Sequence, residues 1–191
     1  MWARTLHRKT GFTIVELLIV IVVIAILASI TVVAYTGIQS QAKDAIRKND
    51  LSTISKVLNV YAAQVDSDML GPGSGCGANG EGSGWWHTTE PLYPKSTRQC
   101  LVDAGYTEVG SILDPSGCAG GTPECAGKPR YMVLHCEKDT KPIVYLLAQL
   151  QNSPQDATFT DTICDEDTAL GFPTITAWDS AYGVNYKIKV R

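Results

Sequence analysis

Lys9-Thr10-Gly11-Phe12-Thr13-Ile14-Val15-Glu16-Leu17-Leu18 stands at the junction of two unlike stretches of chain. Before it, residues 1–11 carry Arg4, His7, Arg8 and Lys9 and no acid. After it, Phe12 to Tyr35 is almost continuously apolar, and Leu17 to Ala28 contains no polar side chain. A helix over those 24 residues reaches about 36 Å, enough to cross a bilayer core. The basic flank predicts a cytoplasmic N-terminus with the remainder translocated. A secretory signal cut after Val32-Val33-Ala34, before Tyr35, is a second reading, although such signals normally hold an apolar region of only about 7–15 residues. A plain signal anchor is a third.

Glu16 bears on the choice. A carboxylate deep in the bilayer costs on the order of 2.5–3.5 kcal/mol, less near the interface. The next charged residue after it is Lys43, so a simple anchor gains nothing from this glutamate. Cleavage between Gly11 and Phe12 would create a cation locally, because the new α-amino group would lie four residues from Glu16, on one helical face. The amino group of a neighbouring copy would serve equally well.

The segment from Lys9 to about Ala45 resembles the class III signal of type IV pilins and type II secretion pseudopilins. Its parts are a short basic leader ending in Gly11, then Phe12, then Glu16 at the fifth position after the cut, then an apolar helix. The resemblance implies cleavage after Gly11 by a membrane-embedded prepilin peptidase and N-methylation of Phe12. It also implies that Glu16 neutralises the Phe12 ammonium of an adjacent subunit during assembly. Opposite charges attract far more strongly in low dielectric than in water. Desolvation opposes that gain, so such a pair sets register more than stability. Further implied partners are an assembly platform, an ATPase and other pilin subunits, in a homo- or hetero-polymer. Where many pilins have a helix-breaking Pro, this sequence has Val33 and its neighbours.

No Pro lies between Met1 and Gly71, and Gly37 is the one glycine from Phe12 to Gln64. Leu51, Ile54, Leu58, Tyr61 and Val65 recur at spacings of three and four, an apolar stripe on one helical face. Lys43, Asp44, Arg47, Lys48, Ser52, Lys56 and Asn59 form the polar remainder, with Asp44 placed to pair with Lys48 at i,i+4. The expected organisation is a leader at 1–11, a long helix at 12–65 whose half at 12–35 spans the membrane, and a head at 66–191. The fold class is α+β: a pilin-like long helix, transmembrane and then amphipathic, packed on an antiparallel sheet.

Gly71 to Gly84 contains seven glycines in fourteen residues and reads as an exposed loop that ends the helix. It lacks the Gly-Lys-Ser/Thr of a phosphate-binding loop. Trp85-Trp86 reads as a core anchor beneath it. Thr97–Ala104 reads as a short helix stopped at Gly105. Tyr131–Glu137 and Ile143–Gln151 read as a hairpin, and Tyr186–Val190 as a last strand.

Six cysteines follow the apolar stretch: Cys76, Cys100, Cys118, Cys125, Cys136 and Cys164. An even number in an exported head favours disulfides. Sequence alone allows fifteen pairings; Cys76–Cys100, Cys118–Cys125 and Cys136–Cys164 each close a plausible loop. Asp165-Glu166-Asp167 is either a solvated acidic loop or part of a calcium site, without the ligand alternation of an EF-hand.

The chain has 191 residues, 45% hydrophobic, with net charge −3, and −6 beyond Gly11. These values exclude a wholly disordered chain and a generally basic nucleic-acid binder. No enzyme constellation, cofactor or metal is expected. Two functions are carried forward: a pilus subunit for adhesion, twitching or DNA uptake, or a secretion pseudopilin acting as a short piston. A membrane-anchored binding domain is the third. Glu16→Ala is expected to be cut after Gly11 yet to assemble poorly, as read by N-terminal sequencing and filament yield.

Overall fold

The computed structural model describes residues 11–64, 71, 73–80, 82–88, 91, 93–118, 123–125, 128, 130–138, 141–153 and 182–190, with only the backbone at 33, 136–138, 141 and 142. The chain divides into two units, residues 1–40 and 41–191. The first helix, α1 (Ile14–Gln64), has residues in both.

In the first unit the large apolar side chains are exposed, among them Phe12, Ile14, Leu17, Ile24, Ile30 and Ile38. Its hydroxyls are bound back to the helix. Ser29 Oγ donates to the Ile26 carbonyl at 2.7 Å, Thr31 Oγ1 to Ala28 at 2.9 Å and Ser40 Oγ to Gly37 at 2.9 Å. A hydroxyl satisfied in this way can sit among apolar neighbours without an orphaned donor.

In the second unit α1 becomes one-sided. Leu51, Ile54, Val57 and Leu58 are buried, and Tyr61 packs against their cluster, so the stripe faces the core as its spacing predicts. Val65 lies outside the described residues. The core faces an antiparallel sheet in the order β1-β2-β3-β4, formed by β1 (Gly84–Trp85), β2 (Tyr131–Lys138), β3 (Lys141–Ala148) and β4 (Tyr186–Lys189). β2 and β3 pair along their length, with Val133 opposite Leu146 and Leu134 opposite Tyr145. β3 starts earlier than its apolar run suggests and includes Pro142, opposite Glu137. β4 pairs with Tyr145–Ala148, and the Val190 amide donates to the Val144 carbonyl; among the described residues no strand pairs with Pro142 on that side, where a missing N–H is tolerated.

Both faces of the sheet are buried. Tyr131, Val133, Val144, Leu146 and Ala148 join the cluster of α1. Met132, Leu134, Ile143, Tyr145 and Leu147 form a second cluster with Trp85 and Val184. The period-2 alternation assigns successive residues to opposite faces. Adjacent Trp85 and Trp86 accordingly anchor different clusters, and the core-anchor reading fits both rings. Trp86 Nε1 also donates to the Ile112 carbonyl at 3.0 Å.

α2 (Thr97–Asp103) is capped by Ser96, whose hydroxyl accepts from the Gln99 amide at 3.3 Å. Gly105, at φ +100°, ends it. The disulfide Cys76–Cys100 ties α2 to the glycine segment, and Cys118–Cys125 closes a short loop. The third proposed pair, Cys136–Cys164, lies outside the described side chains.

Two expectations are corrected. The glycine segment is largely packed, with Cys76, Gly77, Ala78, Gly80 and Ser83 buried. It folds on itself through backbone hydrogen bonds: Gly82 N donates to Cys76 O and Ala78 N to Ser83 O, each at 2.7 Å. At Gly84 a Cβ would stand 2.3 Å from the Tyr93 hydroxyl, so this glycine permits close approach. The second correction concerns Asp44, which does not pair with Lys48. Its carboxylate accepts from Arg47 Nη1 at 2.9 Å and from the amides of Gln151 and Asn152 at 2.9 and 2.8 Å. Lys48 Nζ instead lies 5.5 Å from the centre of the Tyr186 ring.

Arg47 is 0% exposed. Its Nε donates to Asp114 Oδ2 at 2.8 Å and its Nη2 to Asp114 Oδ1 at 3.2 Å. Burial opposes its charge, yet Asp114 and Asp44 together hold its pKa above the usual value. Burial pushes Asp44 upward, but the amides of Gln151 and Asn152 and Arg47 outweigh it and hold the carboxyl low. Burial raises Asp50, against the hydrogen bond from Tyr131 Oη at 2.7 Å. Asp114→Ala leaves Arg47 short of a carboxylate in the interior. The substitution is expected to cost about 3–5 kcal/mol, read as a lower denaturation midpoint of the head.

Candidate functional site

The site the sequence points to is the start of α1. Gly11, Phe12 and Thr13 precede the helix in non-helical backbone. A Cβ on Gly11 would meet nothing within 4 Å, and Phe12 is 81% exposed. Among the described residues, nothing packs over Gly11 or covers Phe12.

Thr13 and Glu16 form a reciprocal pair. The Thr13 amide donates to Glu16 Oε2 at 2.8 Å, the Thr13 hydroxyl donates to the same oxygen at 2.8 Å, and the Glu16 amide donates to Thr13 Oγ1 at 3.2 Å. This is a capping box, in which an N-cap threonine and a glutamate three residues later satisfy each other's orphan amides. The signal for it, Thr-x-x-Glu at residues 13–16, was legible in the sequence beside the charge argument. Glu16 thus closes the helix start through hydrogen bonds. The apolar helix beyond it is exposed on all sides within its own unit. A surface of that kind suits lipid or other apolar helices.

Among the described residues there is no group of three or more His, Cys, Asp or Glu placed to hold a metal. His87 is half-buried, and burial together with the charge of Arg98 lowers its pKa. Asp165, Glu166 and Asp167 lie outside the described residues. The cleft beside Cys76–Cys100, about 440 Å³, is lined by Tyr61, Lys95 and Asp103 among others. There Lys95 Nζ meets Asp103 at 2.7 Å.

Residues 6–32 match the family described as the prokaryotic N-terminal methylation motif. The chain is also 33% identical over 55 residues to the type II secretion system core protein G of Pseudomonas aeruginosa. That similarity covers 29% of this chain, and the chain spans about two fifths of the relative's length, 39%. No solved structure is significantly similar to it. The chain thus carries a prepilin-type motif, joined to an α+β fold of pilin-like arrangement.

Thr13→Ala removes the cap and is expected to cost the first turn about 1 kcal/mol. Amide exchange at residue 16 in detergent-solubilised protein should quicken by about fivefold, whereas Glu16→Gln, which retains the Thr13 interaction, should leave exchange at that position near wild type.

Proposed function

We propose that this chain is the precursor of a filament subunit of the type IV pilin and type II secretion pseudopilin kind. The observation that carries the reading is the register of Gly11-Phe12 and Glu16 with an exposed apolar helix. The segment enters the cytoplasmic membrane with its basic leader inside and the head outside. Prepilin peptidase removes residues 1–11 and Phe12 is methylated. The apolar half of α1 then leaves lipid to pack against the same half of other subunits. Repeated heterologous contacts of that kind build an open fibre. The assembly platform and its ATPase drive the transfer. The protein has a structural role, and the leading assignment is a surface pilus-type filament.

A pseudopilin is the second reading, favoured by the similarity to a protein named as a type II secretion core component. Long filaments on cells favour the pilus. An envelope-confined pool, with a secretion defect on deletion, favours the pseudopilin.

Glu16 has a separable test. Glu16→Gln preserves the cap but removes the charge. If its charge meets the Phe12 ammonium of the next subunit, this variant is processed normally and assembles poorly. Normal assembly would assign Glu16 to capping alone. The N-terminal peptide mass of native protein is the wider test: a start at methylated Phe12 supports the pathway. A start at Tyr35, or an intact Met1, would replace it with a secreted or simply anchored domain.

A further inference from the structure

Arg98, on α2, is half-buried. Its Nη1 donates to the neutral Gly110 carbonyl, and its Nε is enclosed with no acceptor. Among the described residues no carboxylate is ion-paired with it. The adjacent His87 has an Nδ1 that is likewise enclosed without a partner. Burial lowers the pKa of Arg98, and burial with the Arg98 charge lowers that of His87. The nearby cation Lys95 is already committed to Asp103 at 2.7 Å. An enclosed donor such as the Arg98 Nε ordinarily has an acceptor.

Arg98 and His87 line one cleft of about 310 Å³, together with Thr88, Tyr93, Ser96 and Gln99. The cleft opens to solvent, and its volume lies at the lower end of small-ligand sites, about 300–1,000 Å³. That is roughly ten times the space of one water molecule. A bare ion would leave much of it empty, while a small ligand would fill it. A guanidinium presents a planar fork that matches carboxylate or phosphate oxygens. An oxyanion arriving from the open side would supply the missing acceptor.

We propose that this cleft binds the carboxylate or phosphate group of a small soluble ligand, with Arg98 as its charge partner and His87 as a second donor. The Tyr93 ring and Pro94 offer an apolar wall for the body of that ligand. The site is distinct from the start of α1 and does not depend on filament assembly.

The test uses the full chain in detergent micelles, with the His87 ring followed by NMR and assigned through His87→Gln. Inorganic phosphate, acetate and galacturonate are titrated separately, with sodium chloride keeping the ionic strength constant. An anion seated between the two residues favours protonated His87. Its titration should move upward by about half a unit or more, and saturably. Saturation by phosphate alone identifies a phosphate ligand. Saturation by galacturonate at lower concentration than acetate identifies a sugar acid or similar carboxylate. Arg98→Gln should abolish the saturable shift while leaving the thermal transition near wild type. If that variant does not fold, Arg98→Lys supplies the reading: it keeps the charge but loses the fork, and binding should weaken by about tenfold. The proposal is overturned by the absence of a saturable shift up to about 50 mM of any of the three anions. An undiminished shift in Arg98→Gln, or unchanged affinity in Arg98→Lys, overturns it as well.

Discussion

Arg47 is the buried cation at the centre of a polar network that joins distant segments of the head. A guanidinium with no exposed surface must have its charge and donors met from inside the protein. Asp114 comes from a turn 67 residues further along the chain. Asp44 comes from one turn earlier on the same helix and reaches on to the amides of Gln151 and Asn152. The segment after β3 is thereby held to α1, and Asn185 is held to it in turn: the Leu150 amide donates to Asn185 Oδ1 at 2.7 Å, and Asn185 Nδ2 to the Leu150 carbonyl at 2.9 Å. β4 begins at the next residue, Tyr186. Misplacing any of these segments would strand a buried charge, so the network selects one arrangement as well as stabilising it.

The long helix answers to two solvents. Its first half has apolar side chains all round and hydroxyls returned to its own carbonyls, the form a lipid environment requires. Its second half has a single apolar stripe, and that stripe joins one face of the sheet. The other face of the sheet is also buried, which explains why β2 and β3 read as nearly continuous apolar runs instead of clean alternation. The disulfide Cys76–Cys100 then secures a glycine-rich segment that has few side chains with which to pack.

At the start of α1 a carboxylate in an apolar stretch is made tolerable by hydrogen bonds from its own chain. Two Thr13 donors converge on one oxygen of Glu16. They reduce the cost of placing that group near lipid without neutralising it. The charge argument and the capping argument therefore describe one side chain, and a helix start that is closed at Ile14 leaves Gly11 and Phe12 outside the helix. The Thr-x-x-Glu spacing at residues 13–16 carries this second role as plainly as the first.

Local periodicity and spacing account for the parts of the fold that are legible along the chain. The apolar run from Phe12, the stripe at Leu51, Ile54 and Leu58, the stop at Gly105 and the β2–β3 hairpin all follow from residues close together in the chain. So does the N-terminal methylation motif, which lies within one short stretch of chain. Tertiary structure alone decided the fate of Asp44 and Arg47, which at helical spacing look like an ordinary solvated face, because their partners at Asp114 and at residues 151–152 are far away in sequence. It also decided that the glycine segment packs instead of standing free, through contacts with Tyr93, Lys95 and Cys100. The Arg98 cleft belongs to the same class. An arginine is legible in any sequence, but whether a carboxylate reaches it depends on which distant segments the fold brings to its side.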